Sequence, residues 1–292
     1  MLKSLIINAD DFGLCFCVNS GIEKAHRGGV LSSASLLCNT SGFAEAVEIS
    51  RRNPGLGVGV HLNILRGRPV STSEKIYPLL NSKRQFKLSA SSLWRTSVTR
   101  NLANIMEIEY RAQIEKALDA GVKPTHLDSE KHHMLWRTLS KLMKKLAADY
   151  QIPAVRNLRE PVAFALKNLP WPGAKNAWNA AKLRTIATLT TAKGKCATPD
   201  YFFGQTHIGK ISTAFLLELL KNLPAGISEL MCHPGECDQA EMKAVEEETG
   251  ESWINDCRAA ELAALTAPEV KTALRDNGVE LVNYGVFSPR FS

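Results

Sequence analysis

The stretch LIINADDFGL, residues 5–14, decides the fold assignment. Its apolar part, residues 5–9, predicts a buried β-strand, and two adjacent acids, Asp10 and Asp11, follow at the carboxyl end of that strand. Beyond this stretch, short apolar runs alternate with helical patterns along the chain. Strands separated by helical crossovers predict a parallel sheet.

The number and spacing of these units favour an α/β fold of the β/α-barrel type. The predicted strands, seven or eight in number, are 5–9, 31–38, 56–64, 123–128, 152–157, 199–205, 227–233 and 279–285. That many units in 292 residues match a TIM-like barrel in size. A doubly wound open sheet is the alternative, although no glycine fingerprint after the first strand supports a dinucleotide-binding version. We expect one domain over residues 1–292, with an insertion around 160–200 that holds Trp171 and Trp178.

Composition and charge limit the kinds of partner that we expect this protein to bind. The net charge is +7, but lysines and arginines are spread along the chain and no nucleic-acid-binding module accompanies them, so we expect no nucleic-acid partner. No apolar stretch approaches the roughly 20 residues that span a bilayer. The N-terminus has no signal-peptide pattern, and the seven cysteines include no C-x-x-C pair, which predicts a cytoplasmic protein with reduced thiols. The sequence leaves the oligomeric state open, a homo-oligomer included.

Reactive side chains recur at the predicted strand ends. In a β/α barrel the carboxyl ends of the strands form one rim, which carries the chemistry. The residues expected there are Asp10, Asp11, His61, His126, Asp128 and His233. Each has a structural explanation of its own, such as an acid pair that begins a helix, but together they predict a site.

A cluster of this kind predicts metal-assisted hydrolysis. Clustered carboxylates repel each other unless a cation or a proton compensates them. An Asp with two His is a common catalytic metal set that leaves positions open for water and substrate. One acid of an adjacent pair could bind the ion while its neighbour accepts the proton of the attacking water, and a histidine across the rim could protonate the leaving group.

Five motifs in order carry a resemblance to a known family. LIINADDFGL, GVGVHLNI (57–64), KPTHLDSEKHH (123–133), AVRNLRE (154–160) and ELMCHPGE (229–236) resemble the YdjC-like carbohydrate deacetylases. That family includes chitooligosaccharide deacetylases and the hopanoid-associated HpnK proteins. The resemblance implies a β/α-barrel-like fold and hydrolysis of an N-acetyl group from an amino sugar or glycoconjugate, with release of acetate.

The resemblance also implies roles for individual residues. One divalent ion, Mg²⁺ or Zn²⁺, would be held by Asp11, His61 and His126, and mixed His/Asp ligation leans towards zinc. Asp10 would be the general base, and His233 the acid or transition-state stabiliser. The substrate-binding residues would be Arg156, Asp128 and His132.

The chain departs from the family pattern in one loop. Family members commonly read HLDSHQHVH where this chain reads HLDSEKHHM, so Glu130 and Met134 replace histidines. Since the expected ligand His126 is kept, the resemblance still implies metal binding, but the altered loop leaves the identity of the sugar open.

Two further functions remain as alternatives. The same site could cleave an amide or ester of a non-sugar or lipid-linked substrate, or the chain could be a non-catalytic sugar-binding protein on the same scaffold. The intact set of strand-end acids and histidines argues against the second, because a retired site has no physical need for them together.

Overall fold

The computed structural model describes residues 2–89, 99–190, 196–236, 238–249 and 257–288. Its strands are β1 Lys3–Phe12, β2 Ser33–Leu36, β3 Gly57–Leu62, β4 His126–Ser129, β5 Ala154–Val155, β6 Tyr201–Phe203, β7 Gly226–Cys232 and β8 Val279–Leu281. Its α-helices are α1 Phe16–Gly28, α2 Phe43–Arg52, α3 Arg100–Asp119, α4 Arg137–Asp149, α5 Val162–Asn168, α6 Ala174–Thr190, α7 Thr213–Asn222, α8 Gln239–Thr249, α9 Cys257–Thr266 and α10 Pro268–Asp276. Short 3₁₀ helices occupy Glu74–Leu79, Glu130–Leu135 and Tyr284–Phe287.

The strands form one parallel sheet that curls towards a barrel. Seven of them are hydrogen-bonded in the order β5-β4-β3-β2-β1-β7-β6, and β8 pairs with the beginning of β1. The two ends of this path approach each other, because Ala154 in β5 forms a parallel bridge with Ala197, four residues before β6. Helices flank this curled half-barrel. The predicted β/α-barrel-like fold is therefore confirmed, and the open doubly wound sheet is not the arrangement found.

Strand β1 lies in the middle of the sheet because its sequence is apolar on both faces. Leu5, Ile6 and Ala9 are fully buried, as expected for a parallel strand covered on both sides. Strand β7 pairs with its first seven residues, and β2 pairs with its second half. The acids at its end therefore lie between the ends of two neighbouring strands.

The end of β1 is irregular at the acid pair. Its register against β2 shifts between Ala9 and Phe12, and Asp11 has a left-handed backbone with φ of 67°. Successive side chains of a regular strand point to opposite faces, whereas a bulge can re-aim one of them. The bulge thus allows both carboxylates to serve one rim. Gly13 then turns the chain with φ of +90°, and a Cβ there would lie 2.9 Å from the carbonyl oxygen of Leu37.

Several boundaries of the predicted elements differ from those in the structure. The last predicted strand, 279–285, is shortened to β8, because its last two residues belong to a 3₁₀ helix that contains the fully buried Tyr284. The predicted insertion around 160–200 contains helices α5 and α6, and residues 191–195 lie outside the described ranges. The single domain over 1–292 stays a prediction. Among the described helices, none combines the length and the hydropathy that crossing a bilayer requires.

Candidate active site

Strand register brings the predicted site residues together. Ala9 in β1 is paired with Cys232, the last residue of β7, and Asp10 and His233 directly follow this pair. His61 is paired directly with Asp128 across β3 and β4. Asp10, His61, Asp128 and His233 therefore lie towards the carboxyl ends of their strands, whereas His126 begins β4. The acids are almost fully buried.

One part of the rim is built around a buried arginine. Arg156 donates to both oxygens of Asp10, at 2.8 and 2.6 Å. The same guanidinium lies 2.8 Å from Asp128 Oδ2 and donates from Nε to Glu229 at 2.8 Å. These four residues, called the Arg156 cluster below, come from β1, β4, β7 and the end of β5. Only a rolled sheet can place side chains from these strands around one guanidinium.

Asp10 and Glu229, both partners of Arg156, have pKa values shifted in opposite directions. Burial opposes ionisation of Asp10, but the Arg156 guanidinium, with His61 and His233 nearby, holds the pKa of Asp10 well below its usual range. Burial raises the pKa of Glu229 to about 7, although Arg156 and the hydroxyl of Tyr284 oppose that rise. Asp10 is therefore ionised at neutral pH and able to accept a proton.

His61 connects this cluster to a second one. Its Nδ1 lies 2.8 Å from Asp128 Oδ1, and its Nε2 lies 3.4 Å from Glu130 Oε2. Burial would lower the pKa of His61, but the carboxylates of Asp128 and Glu130 outweigh it and raise that pKa well above the usual value. A carboxylate on one ring nitrogen is the usual support of a metal-binding histidine, whose other nitrogen holds the ion.

The second acid of the pair occupies a different environment. Asp11 Oδ2 lies 2.5 Å from Arg258 Nη2, and Asp11 Oδ1 lies 3.9 Å from Arg66 Nη2. Arg66 also forms an ion pair with Glu130. The Asp11 cluster is defined here as Asp11, His61 and Glu130, with Arg66 and Arg258 as its neighbouring cations.

Two groups of ligand atoms at the rim could hold a cation. The potential ligand atoms of Asp10, His61 and Asp128 lie within 4.8 Å of one another, and so do those of Asp11, His61 and Glu130. Arg156 already bridges the two acids of the first group. In the second group His61 Nε2 faces the acids while Asp128 holds Nδ1, which is the arrangement that suits a divalent ion. The residues of the Asp11 cluster therefore fit such an ion.

His126 lies outside both groups. Its Nε2 is 3.1 Å from the hydroxyl of Ser35, and its Nδ1 is 3.0 Å from that of Thr125. The ring stacks on Tyr284 at a centroid distance of 3.8 Å, and a Cβ at Gly59 would lie 2.5 Å from it. Burial lowers the pKa of His126 to about 3. The structure thus brings Asp11 and His61 together, but it places His126 in a packed, hydrogen-bonded position at the start of β4.

The remaining histidines of the rim differ in their contacts. His132 Nε2 lies 2.8 Å from Gln205 Oε1, and burial lowers the pKa of His132 to about 4. His133 is held between the backbone of Glu130 and the hydroxyl of Tyr110. The His233 side chain is half-buried beside the more deeply buried Asp10, and its backbone N–H donates to Glu261.

Two predicted substrate contacts have protein partners in the structure. Arg156 is 5% exposed and binds three carboxylates, and Asp128 is 1% exposed and binds His61, Ser35 and Arg156. Both lie below the rim surface. Trp171 and Trp178, by contrast, are exposed by 68% and 67% in the 160–200 region.

Sequence reasoning did not identify several residues of the site. Glu229 had a usable signal, since a lone acid in the apolar strand ISELMC needs a buried partner. The sequence signal for Arg66 was weaker: it is a cation five residues after His61, in the segment that follows β3. Arg258 had none, because its helix α9 is distant in sequence and only the tertiary packing brings it to Asp11.

A third group of potential ligands lies beside the rim. Cys15 Sγ is 3.5 Å from Cys17 Sγ, and Glu241 lies next to them. Glu241 accepts hydrogen bonds from the backbone N–H groups of Phe16 and Cys17. These are donors that the first turn of a helix leaves unpaired, so this carboxylate, from helix α8, satisfies the N-terminus of α1.

Comparisons with known proteins agree with this fold. The family described as YdjC-like protein matches residues 4–276. The chain is 32% identical to a carbohydrate deacetylase of Brevibacillus brevis, over 96% of this chain and 98% of that one. It is 30% identical to a carbohydrate deacetylase of Thermoanaerobacter pseudethanolicus, over 98% and 99% of the two chains. A solved structure from Enterococcus faecalis, described as a putative cellobiose-phosphate cleavage protein, superposes with a TM-score of 0.77 at 28% identity and covers 99% of this chain and all of its own.

Proposed function

This chain belongs to the YdjC-like protein family, and from that premise we propose that it is a metal-dependent carbohydrate deacetylase. It hydrolyses the N-acetyl group of an amino sugar or glycoconjugate and releases acetate. The relatives named carbohydrate deacetylase match over nearly their whole length, which supports the activity and the carbohydrate substrate. The mechanism rests on one observation, the different surroundings of the two adjacent acids. Asp10 is held by Arg156, whereas Asp11 lies close to His61 and Glu130.

Asp11 and His61 would hold a divalent ion. When bound, the ion polarises the amide carbonyl and acidifies a water. Asp128 orients the His61 ring through Nδ1, so that Nε2 is directed at the ion site. This positioning role replaces the substrate contact that the resemblance implied for Asp128.

Asp10 accepts the proton from the attacking water. Its oxygens are held by Arg156, which keeps the carboxylate ionised and fixed in orientation. With an ion held by Asp11 and His61, the water would be acidic enough for a weakly basic carboxylate to accept its proton. Arg156 thereby positions the base.

His233 donates a proton to the leaving nitrogen. Water oxygen bonds to the acetyl carbon, the C–N bond breaks, and the amine leaves with the proton from His233 while acetate is released. His233 is suited to this step because it is half-buried and directly follows β7, the strand adjacent to that of Asp10, and the backbone bond to Glu261 fixes its position.

The proposal is tested by acetate release from a panel of N-acetylated amino sugars, glycolipid precursors, and simple esters and amides. We expect release from at least one amino sugar, loss of activity after exhaustive chelation, and recovery when Mg²⁺, Mn²⁺ or Zn²⁺ is added back. Full activity in metal-free protein would exclude the metal-dependent mechanism. Turnover confined to the non-sugar amides or esters would favour the alternative substrate class.

A further inference from the structure

The backbone turn after β4 positions Glu130 at the proposed metal site. Glu130 follows β4 directly and begins a 3₁₀ turn in which Lys131 and His132 have φ of 45° and 54°. Non-glycine residues rarely adopt this left-handed backbone, so the turn is held by its surroundings. The result is a carboxylate that is 1% exposed, with Oε2 3.4 Å from His61 Nε2 and in one ligand group with Asp11.

The arrangement around His61 selects Glu130 over His126. Asp128 binds His61 Nδ1, and the free side of the ring faces Glu130. His126 has hydroxyl partners on both ring nitrogens and stacks on Tyr284. Within the described residues, no ligand group joins His126 to Asp11 or His61.

The negative charge of Glu130 is compensated by a neighbouring arginine, Arg66. A histidine at position 130, as the family commonly has, would be neutral, whereas Glu130 adds one negative charge to that of Asp11. Arg66 is fully buried, pairs with Glu130 Oε1 and lies 3.9 Å from Asp11. The guanidinium offsets the added charge and leaves Glu130 Oε2 directed at His61.

We propose that Glu130 is the third metal ligand of this enzyme and that Arg66 is its positioning and charge-compensating residue. The inference rests on the proposed function for the presence of the ion. Two carboxylates and one imidazole form a harder ligand set than one carboxylate and two imidazoles. The site therefore favours Mn²⁺ or Mg²⁺ relative to a His-rich site, and the leaning towards zinc drawn from an Asp–His–His set is reversed.

Metal binding to stripped, full-length protein tests this inference without an activity assay. Mn²⁺ and Zn²⁺ titrations would be followed by calorimetry, with thermal melts to establish that each variant is folded. Loss of an outer-sphere partner already costs about 10–100-fold in metal affinity, so we expect Glu130→Gln to weaken Mn²⁺ binding by more than about 100-fold. Glu130→His should retain Zn²⁺ and lose preference for Mn²⁺, which a merely structural Glu130 would not do.

Two matched variants serve as controls. Glu160→Gln makes the same chemical change at another buried carboxylate and should bind Mn²⁺ as the wild type does. His126→Gln should bind Mn²⁺ within a fewfold of the wild type if it folds. Wild-type affinity in Glu130→Gln, or loss of the ion in a folded His126→Gln protein, would overturn the assignment. Failure of the wild type to bind any divalent ion would overturn both this inference and the metal dependence of the proposed function.

The role of Arg66 is tested by comparing the melting temperatures of single and double variants at positions 66 and 130. Glu130→His removes the nearer of the two carboxylates beside the buried Arg66 guanidinium and should lower the Tm, and the double variant Glu130→His/Arg66→Met should recover part of that loss. Equal melting temperatures for the wild type and Glu130→His would show that Arg66 does not depend on Glu130.

Discussion

The Arg156 cluster and the Asp11 cluster lie side by side, yet they neutralise their acids differently. In the first, one guanidinium contacts Asp10, Asp128 and Glu229. In the second, Asp11 and Glu130 converge on one edge of an imidazole, with Arg66 and Arg258 beside them. A carboxylate held by a guanidinium keeps a fixed orientation, whereas acids grouped around an imidazole could accept a cation between them. Neighbouring residues of one strand can therefore hold distinct roles.

The largest expected effect, on kcat, comes from replacing Asp10, the proposed general base in the Arg156 cluster. Asp10→Asn keeps the size of the side chain but removes the proposed proton acceptor, so we expect kcat to fall by about 10²–10⁴-fold. Metal stoichiometry, measured by calorimetry, should stay at the wild-type value because the Asp11 cluster is intact. Unchanged kcat would remove Asp10 as the base, and lost stoichiometry would mean that the two clusters are not separable.

A smaller effect should follow from weakening the link between the clusters. Asp128→Asn retains the shape of the side chain but loses the charge that orients His61, and we expect a loss of about 10–100-fold in metal affinity. The measurement is a Mn²⁺ titration of the stripped protein. Affinity equal to that of the wild type would show that the Asp128–His61 contact does not orient the ligand.

The last expected effect is on stability, and it concerns a buried acid outside both clusters. Glu160 accepts from the backbone N–H groups of Gly204 and Thr206, and burial raises its pKa from 4.5 to about 7 despite these bonds. The folded state therefore keeps a proton that the unfolded state releases at lower pH. This group makes the free energy of unfolding fall as the pH rises from 4.5 to about 7, by at most about 1.4 kcal/mol per pH unit.

Urea unfolding of the wild type and Glu160→Gln at several values of pH in that interval checks this expectation. The variant should have the shallower decline, because its amide does not titrate. Identical pH dependence in the two proteins would contradict a raised pKa at Glu160. The comparison also separates the effect of burial alone from that of burial beside an arginine, which lowers the pKa of Asp10 instead.

The fold could be predicted from the sequence because its signals are local and repeated. Apolar runs alternate with helical patterns, and each predicted strand overlaps an observed one, although the ends differ by several residues. Boundaries are less certain because neighbouring elements decide where hydrogen bonding stops. The 3₁₀ helix at Tyr284–Phe287 illustrates this, since the sequence around it has a strand pattern while the tertiary packing requires a turn that buries Tyr284.

The sequence by itself determined that acids and histidines stand at the ends of parallel strands, because the position of a residue in a strand pattern gives its place on the rim. It placed Asp10, Asp11, His61 and His233 there. Only the tertiary structure decided which atoms face each other. The bulge at Asp11, the left-handed turn after Glu130 and the approach of Arg258 from a distant helix depend on contacts across the sheet, and no periodicity encodes them. For that reason Glu130, rather than His126, lies beside Asp11 and His61.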